Sequence, residues 1–392
     1  MYMRRWQPLA YINNTNASIH LPIYRIDLLR KADETPYSDL CGQVIDGSGN
    51  ITLNKEEGVR RTCNFSLANY DSSLTEFANN LSLGDMFRVW LGEIIDDEEV
   101  LFCQGTYLFN NPTCTSNQGD RQISISGTDK WSLLNGAHGG IIEGTYIVYA
   151  GSTFGDMVRR TLNLDIVSDP ITPNIHPSLE NAEITYDITK TSGNTIADIM
   201  LDVALNIGAY VYYDAFGRFT AIPMDEDIYK PSSYIFKEGD VSYLSSSRTV
   251  GLEDVYNSVL VISENVTETQ DVIMTELKNE DPSDPNSIVN CGRKKVYIVP
   301  DYLAGISTQD LCDARAVYEL RKIKEKYSAL TIECLSVLFL NEGDVIQIDV
   351  PEMRQEQGYS FSEDNRYLIT SISRNIGTDI RTTMSVISLR SL

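Results

Sequence analysis

The 392-residue chain is poor in the groups on which most enzymes rely. It has three His (His20, His138 and His176), and its seven Cys (Cys41, Cys63, Cys103, Cys114, Cys291, Cys312 and Cys334) include no pair at C-x-x-C spacing. Tetrahedral zinc asks for paired Cys or Cys/His sets, so no metal site is expected from them. The odd count, with Cys63 and Cys334 inside apolar alternating runs, reads as free thiols buried in a protein folded in a reducing cytoplasm. Positive charge is also scarce: 32 Lys and Arg face 55 Asp and Glu, a formal charge of −23. So acidic a surface repels phosphate backbones and argues against a non-specific nucleic-acid binder. The cluster Arg293-Lys294-Lys295 reads as the surface of a strand start. Long apolar runs are lacking too; Gly140–Tyr149 is short and carries Glu143. Pro8 and Asn13-Asn14-Thr15-Asn16 follow the basic start at once, leaving no secretory core, so the chain is expected to be soluble as made, without membrane insertion. There is no Gly-Lys-Ser/Thr phosphate loop, no G-x-G-x-x-G and no G-x-S-x-G; Gly151-Ser-Thr-Phe-Gly155 has its Ser one position early.

What is present is ordinary globular composition, 42% hydrophobic and 22% charged, at a length that suggests about two to four domains. Residues 1–22 are Asn-rich and read as an N-terminal arm rather than a core element. From Ile23 to about residue 130, short alternating runs recur between turn clusters. They include Arg60–Leu67, Asp85–Leu91, Val100–Phe109 and Arg121–Ser126, with a short helix at 71–78 that Asp71 would cap. That spacing predicts an antiparallel β-barrel or sandwich, with 235–250 as a candidate closing segment.

Residues 131–234 read as a small α+β insert. Ile196, Ile199, Met200, Val203, Ala204 and Ile207 lie on one helical face after a Thr195-x-x-Asp198 capping box, and Gly208 ends the helix. A hairpin, Ala209–Tyr213 and Arg218–Ile222, follows across Asp214-Ala-Phe-Gly217. From 251 to 392 strands return at 257–263, 271–276, 295–299, 329–338, 344–350, 366–373 and 381–389. The polar, Pro-rich stretch Asn279–Asn286 reads as a mobile loop, and a helix at 307–326 would turn Leu311, Ala314, Tyr318 and Leu320 inward.

The two β-rich ends share a signature. Leu81-Ser-Leu-Gly84-Asp85 and Leu340-Asn-Glu-Gly343-Asp344 both read L-x-x-G-D, and each opens a strand that two further strands follow. Gly supplies an unusual φ and Asp bonds nearby amides, so the pair makes a good turn. The shared order of later strands points to duplication.

Catalytic constellations are weak. The three His read as incidental loop residues, and Asp96–Glu99 and Asp225-Glu-Asp227 fall in polar turns where two carboxylates would be solvated alike. Asp281, Asp284 and Asn286 offer oxygens for a cation, but two prolines interrupt them. No catalytic, cofactor or metal residues are therefore assigned. Among 22 Tyr, Tyr210, Tyr212 and Tyr213 place rings on both faces of one strand, a pattern that fits either a partner protein or a contact between domains of the same chain.

The order of elements resembles the tail hub, or baseplate hub, proteins of bacteriophages and related contractile injection particles. The resembling segments are Asn194–Met224 with its Asp214-Ala-Phe-Gly217-Arg218 turn; Val255–Ile262; Asp310-x-x-Asp-Ala-Arg-Ala-Val-Tyr-Glu-Leu320; and Leu340-x-x-Gly-Asp344 followed by Arg366–Ile372. They cover about residues 194–390, while 25–130 match in pattern only. The resemblance implies a mainly β chain of two tail-tube-like antiparallel barrels, 23–130 and 251–392, around the α+β insert. It implies no enzyme. It implies a homotrimeric, pseudo-sixfold ring in the virion tail, assembled in the host bacterial cytoplasm. The ring would join a hexameric tail tube or distal tail protein to a threefold central spike or tail fibre, meet a tape measure protein, and let DNA pass without specific binding. The alternatives are a host-glycan or receptor binder and a tail-associated peptidoglycan hydrolase. One departure is the helix at 307–326, where the first copy has only 71–78.

Overall fold

A computed structural model of the chain describes residues 9–15, 17, 19–40, 42–55, 58–69, 73–116, 121–185, 187–224, 230–248, 256–262, 272–282, 284, 286–293, 296–299, 309–327, 330–335, 337–350, 366–379 and 381–389. Asp71, Asp225-Glu-Asp227, Cys41, Lys294 and Lys295 lie outside the described residues.

The chain is mainly β, and fourteen strands form one large sheet. Alternation explains it: in Arg61–Ala68 and Arg121–Asp129 every second residue (Cys63, Phe65, Leu67; Ile123, Ile125) is buried, giving each strand one apolar face. These faces enclose a single core that runs on through Leu330, Ile332, Cys334, Met384 and Val386 near the other end of the chain.

Within this sheet the same order of pairing occurs twice. The first unit runs Gly49–Asn54, Arg61–Ala68, Arg121–Asp129, Glu98–Phe109, Met86–Ile95, Pro22–Leu29. The second runs Tyr243–Arg248, Leu330–Leu335, Arg381–Ser388, Arg366–Ile376, Val345–Asp349, Tyr234–Lys237. Neighbours are antiparallel throughout, except that Tyr234–Lys237 runs parallel to Val345–Asp349. The two strands found within 234–248 thus pair inside the second unit and do not close the first. Tyr234 and Phe236 turn into the core there, where the Tyr234 ring meets Phe339 at 5.8 Å.

Two inserts interrupt the sheet. Residues 130–223 build their own core around Phe154, Met157, Ile196, Met200, Val211 and Phe219. The helix Ile196–Ile207 starts at the Thr195–Asp198 capping box and ends at Gly208 in the left-handed region (φ 69°). The second insert lies between the first two strands of the second unit, where only six residues, 55–60, separate the corresponding strands of the first unit. There Ser258–Ile262, Met274–Lys278 and Val296–Ile298 form a separate three-stranded sheet covered by the helix Gln309–Tyr327. These three strands therefore pair among themselves and not with the strands after residue 329, because Val259, Val261 and Val299 already bury their faces under Cys312, Ala316 and Ile323.

This placement removes the apparent departure between the copies, since Gln309–Tyr327 is not the counterpart of Ser73–Asn80. Of the residues expected to face inward, Tyr318 is buried and Leu320 packs against the insert's core, but Ala314 is exposed. Cys312, Ala316, Glu319 and Ile323 are buried with them, with Arg315 paired to Glu319 at 2.6 Å. The cysteine and the ion pair occupy positions that a search for large apolar residues passes over. Among the described residues of the polar stretch 279–286, expected to be a mobile loop, Asn279 is buried, Asp284 O accepts from the Asn290 side chain (2.7 Å), and Asn286 O accepts from the Asn257 side chain (3.3 Å). The arm also departs from expectation. Leu9–Asn14 is a short helix whose Tyr11, 1% exposed, enters the main core against Phe102 and Phe339. One aromatic in a six-residue helix leaves no periodicity to read.

Candidate functional site

The L-x-x-G-D segments form two turns of the same build. Gly84 (φ 85°) and Gly343 (φ 78°) take the left-handed conformation that a side chain would strain. Each Asp folds back on its own turn. Asp85 Oδ2 accepts from Ser82 N (2.6 Å), and Asp344 Oδ2 accepts from Asn341 N (2.7 Å). Each Asp carbonyl then accepts an amide from the next strand but one, Phe109 N at 3.1 Å in the first unit and Ile369 N at 2.9 Å in the second. The strands that follow start in matching register, Met86 opposite Leu108 and Val345 opposite Leu368.

The surroundings of the turns differ. Lys31 pairs with Asp85 at 3.1 Å, and Leu83 is 71% exposed. Asn341 and Glu342 are buried at the joint between the units. There the far half of Arg366–Ile376, still paired with Arg381–Ser388 on one edge, pairs antiparallel with Gly49–Asn54 on the other, Arg374 opposite Ile51 and Asn375 opposite Asn50. Two guanidinium groups cross this joint. Arg61 reaches Glu342 at 2.5 Å, and donates to Gln104 O (3.0 Å) and Asn341 Oδ1 (3.3 Å). Arg374 donates to Gln104 Oε1, Val337 O (3.1 Å) and Leu340 O (2.7 Å). Burial among neutral acceptors brings the Arg374 pKa down to about 10. Nearby, Asp129 accepts from Arg60 N (2.8 Å), Arg61 N (3.0 Å) and Trp131 N (3.1 Å). Its burial outweighs those bonds and raises its pKa to about 6.

A second buried cluster fastens the first insert to the first unit. Lys130 Nζ sits 2.5 Å from Glu34 and 2.6 Å from Asp169, and donates to Gly217 O at 3.0 Å. Tyr213 OH donates to the other Asp169 oxygen at 2.8 Å. The hairpin tip Asp214–Gly217 rests on the first unit, where Ala215 O accepts from Thr106 Oγ1 (3.1 Å) and Phe216 O from Arg88 (3.1 Å). Burial raises the Glu34 pKa even against the pull of Lys130.

The tyrosines picked out from the sequence meet partners within the chain. Tyr210 packs on Tyr318 of the second insert at 5.7 Å and lies under Lys55 at 4.8 Å. Arg60 stacks over Tyr212 at 4.0 Å, and Tyr213 is buried. The histidines are dispersed. His20 Nδ1 lies 3.0 Å from buried Glu93, His138 Nε2 is 3.0 Å from Phe109 O, and His176 accepts from Ser178 N (3.3 Å). Asp96 and Asp97 supply the positive-φ positions of a hairpin turn. The described Cys are free, with Cys63, Cys103, Cys312 and Cys334 buried and Cys114 exposed. Burial lifts the Cys103 and Cys334 thiols to about 12, which makes them inert.

The residues overlooked in the sequence are Arg61, Gln104, Glu342 and Arg374. Two of them were signalled by phase: Arg61 falls in step with Cys63, Phe65 and Leu67, and Arg374 with Ile372 and Ile376, so each is a charge on a core face.

No family model matches the sequence, and no curated protein matches it. Solved structures do match. The 43 kDa tail protein of prophage MuSo2 from Shewanella oneidensis aligns with TM-score 0.59 and 14% identity, over 94% of this chain and 99% of that one. A tail protein from Neisseria meningitidis MC58 aligns with TM-score 0.61 and 13% identity, over 94% and 98%. The half-lidded PdpA–VgrG complex of Francisella aligns with TM-score 0.53 and 11% identity, over 98% of this chain and 60% of its own. Over nearly its whole length, the chain has the fold of the prophage MuSo2 tail protein and of the Neisseria tail protein.

Proposed function

We propose that the chain is a structural hub of a phage-type tail. Three copies form a ring that presents six similar sheet units to a hexameric tube or distal tail protein, and a threefold face to a central spike or fibre. The first tube-like unit is residues 22–129. The second is 234–248 with 330–389, and the segments 130–233 and 256–327 are inserts hung on them. The observation that carries this reading is the doubled pairing order: one chain holds two equivalent units side by side in one sheet, so a threefold assembly can match a sixfold one. The end-to-end likeness in fold to two phage tail proteins supports it. The hub works by assembly and not by catalysis. Its acidic character (−23 per chain) suits a channel through which DNA and a tape measure protein pass without adhering. Its place is the tail tip of the virion, after synthesis in the host bacterial cytoplasm. A glycan-binding role for the Tyr210 strand is disfavoured, since Tyr210 and Tyr212 are engaged with Tyr318, Lys55 and Arg60.

Native mass spectrometry over a concentration series, alone and with the tube protein, tests this reading. A three-chain species that binds tube protein is the expected result. Monomers under every condition would overturn it.

A further inference from the structure

The joint inside the chain specifies a joint between chains. Each unit has one strand edge that reaches for a neighbour and one that receives. In the second unit the reaching edge is 371–376, and the receiving edge of the first unit is Gly49–Asn54. The pairing registers fix their counterparts. Thr113 and Cys114 lie on Arg121–Asp129 as Ser373 and Arg374 lie on Arg381–Ser388: Cys114 faces Ile123 as Arg374 faces Thr382. The two segments also stand at the same distance from the turn-bound amides of Phe109 and Ile369, four residues on in each case. Tyr243–Arg248 lies on Leu330–Leu335 as Gly49–Asn54 lies on Arg61–Ala68: Ser247 faces Thr331 as Asn50 faces Asn64. Among the described residues neither Thr113–Ser116 nor Tyr243–Arg248 has a second strand beside it, and Thr113, Cys114, Ser116 and Ser247 are exposed. An open edge is a row of backbone donors and acceptors set to pair with another strand.

We infer that the occupant of each edge is the other edge on a second copy of this chain. Thr113–Ser116 of one copy pairs antiparallel with Tyr243–Arg248 of the next, with Thr115 opposite Ser247 and Cys114 opposite Arg248. The inference rests on the ring reading and names the seam that reading requires. Transferred from the internal joint, this register carries the sheet from one copy to the next in an unchanged sense, so the contact is head-to-tail, the kind from which a ring of three copies is built. The seam also differs from its internal template. The position of Arg374, whose guanidinium is tied across the internal joint, is occupied by Cys114. Without that tie, the ring opens at the seams between chains while the internal joint stays intact.

The test is disulfide trapping in a Cys114→Ser background. Thr115→Cys and Ser247→Cys are combined in one chain, and also mixed as single variants; Thr113→Cys with Ser247→Cys, two residues out of register, is the control. Under mild oxidation the double variant should run as a covalent three-chain ring on a non-reducing gel. The mixed singles should give two-chain bands that neither single gives alone, and the out-of-register pair should give none. If the unsubstituted protein forms three-chain species but Thr115→Cys/Ser247→Cys does not cross-link within them, the seam lies elsewhere and this inference falls while the ring stands. If no three-chain species forms at all, the ring reading fails and the seam fails with it.

Discussion

At Leu81–Asp85 the residues between leucine and glycine, Ser82 and Leu83, face solvent; at Leu340–Asp344 their counterparts, Asn341 and Glu342, are buried against Arg61 of the other unit. Both turns keep the left-handed glycine and the aspartate that bonds its own turn. The backbone therefore sets the turn, while the two variable residues set what the turn touches. One copy has become half of an internal joint, and the other has kept a free surface. This contrast separates what a sheet unit needs in order to fold from what it needs in order to join.

The largest effect should come from breaking the joint. Glu342→Gln leaves Arg61 and Arg374 buried without a counter-charge, and chemical denaturation should show a loss of about 3–5 kcal/mol. Leu83→Gln, in the matching segment of the other turn, should stay within about 0.5 kcal/mol in the isolated chain. Equal losses at the two turns would remove the distinction between them.

The next effect concerns Asp129, whose register counterpart in the second unit is the uncharged Ser388: Asp129 lies opposite Tyr107 as Ser388 lies opposite Tyr367. Its carboxyl is raised from 3.8 to about 6 by burial, so between those values the folded state binds more protons than the unfolded chain. Its contribution therefore falls as pH rises from about 4 to 6, and the protein gains up to about 3 kcal/mol on acidification across that window. Asp129→Asn should flatten this part of a stability–pH profile measured by urea unfolding. Glu34, shifted in the same direction, would supply what slope remains.

A smaller effect should be shared by the copies. Gly84→Ala and Gly343→Ala each place a side chain at positive φ and should cost about 1–2 kcal/mol apiece. Similar losses in thermal denaturation would support one turn design used twice. A loss at only one of them would break the equivalence.

The sequence showed the turns and most strands, because alternation and the Gly-Asp pair are local signals. It did not show how the strands distribute. Ser258–Ile262, with its apolar run Val259-Leu-Val-Ile262, reads like any core strand, yet it belongs to the second insert, because the helix Gln309–Tyr327 offers it a closer apolar face. The segment 234–248 lies near the end of one unit in sequence but pairs with strands more than eighty residues later. Such pairings are decided by which edges are free after other strands have paired, and no local pattern records that. The joint itself was half visible. Arg61 and Arg374 stood in phase with apolar neighbours, while Gln104 and Glu342 gave no sign before the two units were brought together.

The central claim is that one sheet unit, used twice per chain, lets three chains stand in for six. Rotational analysis of cryo-electron micrographs of the assembled ring tests it most directly. The account predicts near-sixfold density in the layer formed by the fourteen-stranded sheets, with threefold density confined to the inserts 130–223 and 256–327. A ring whose sheet layer is threefold only, with alternate positions unlike in shape, would contradict it.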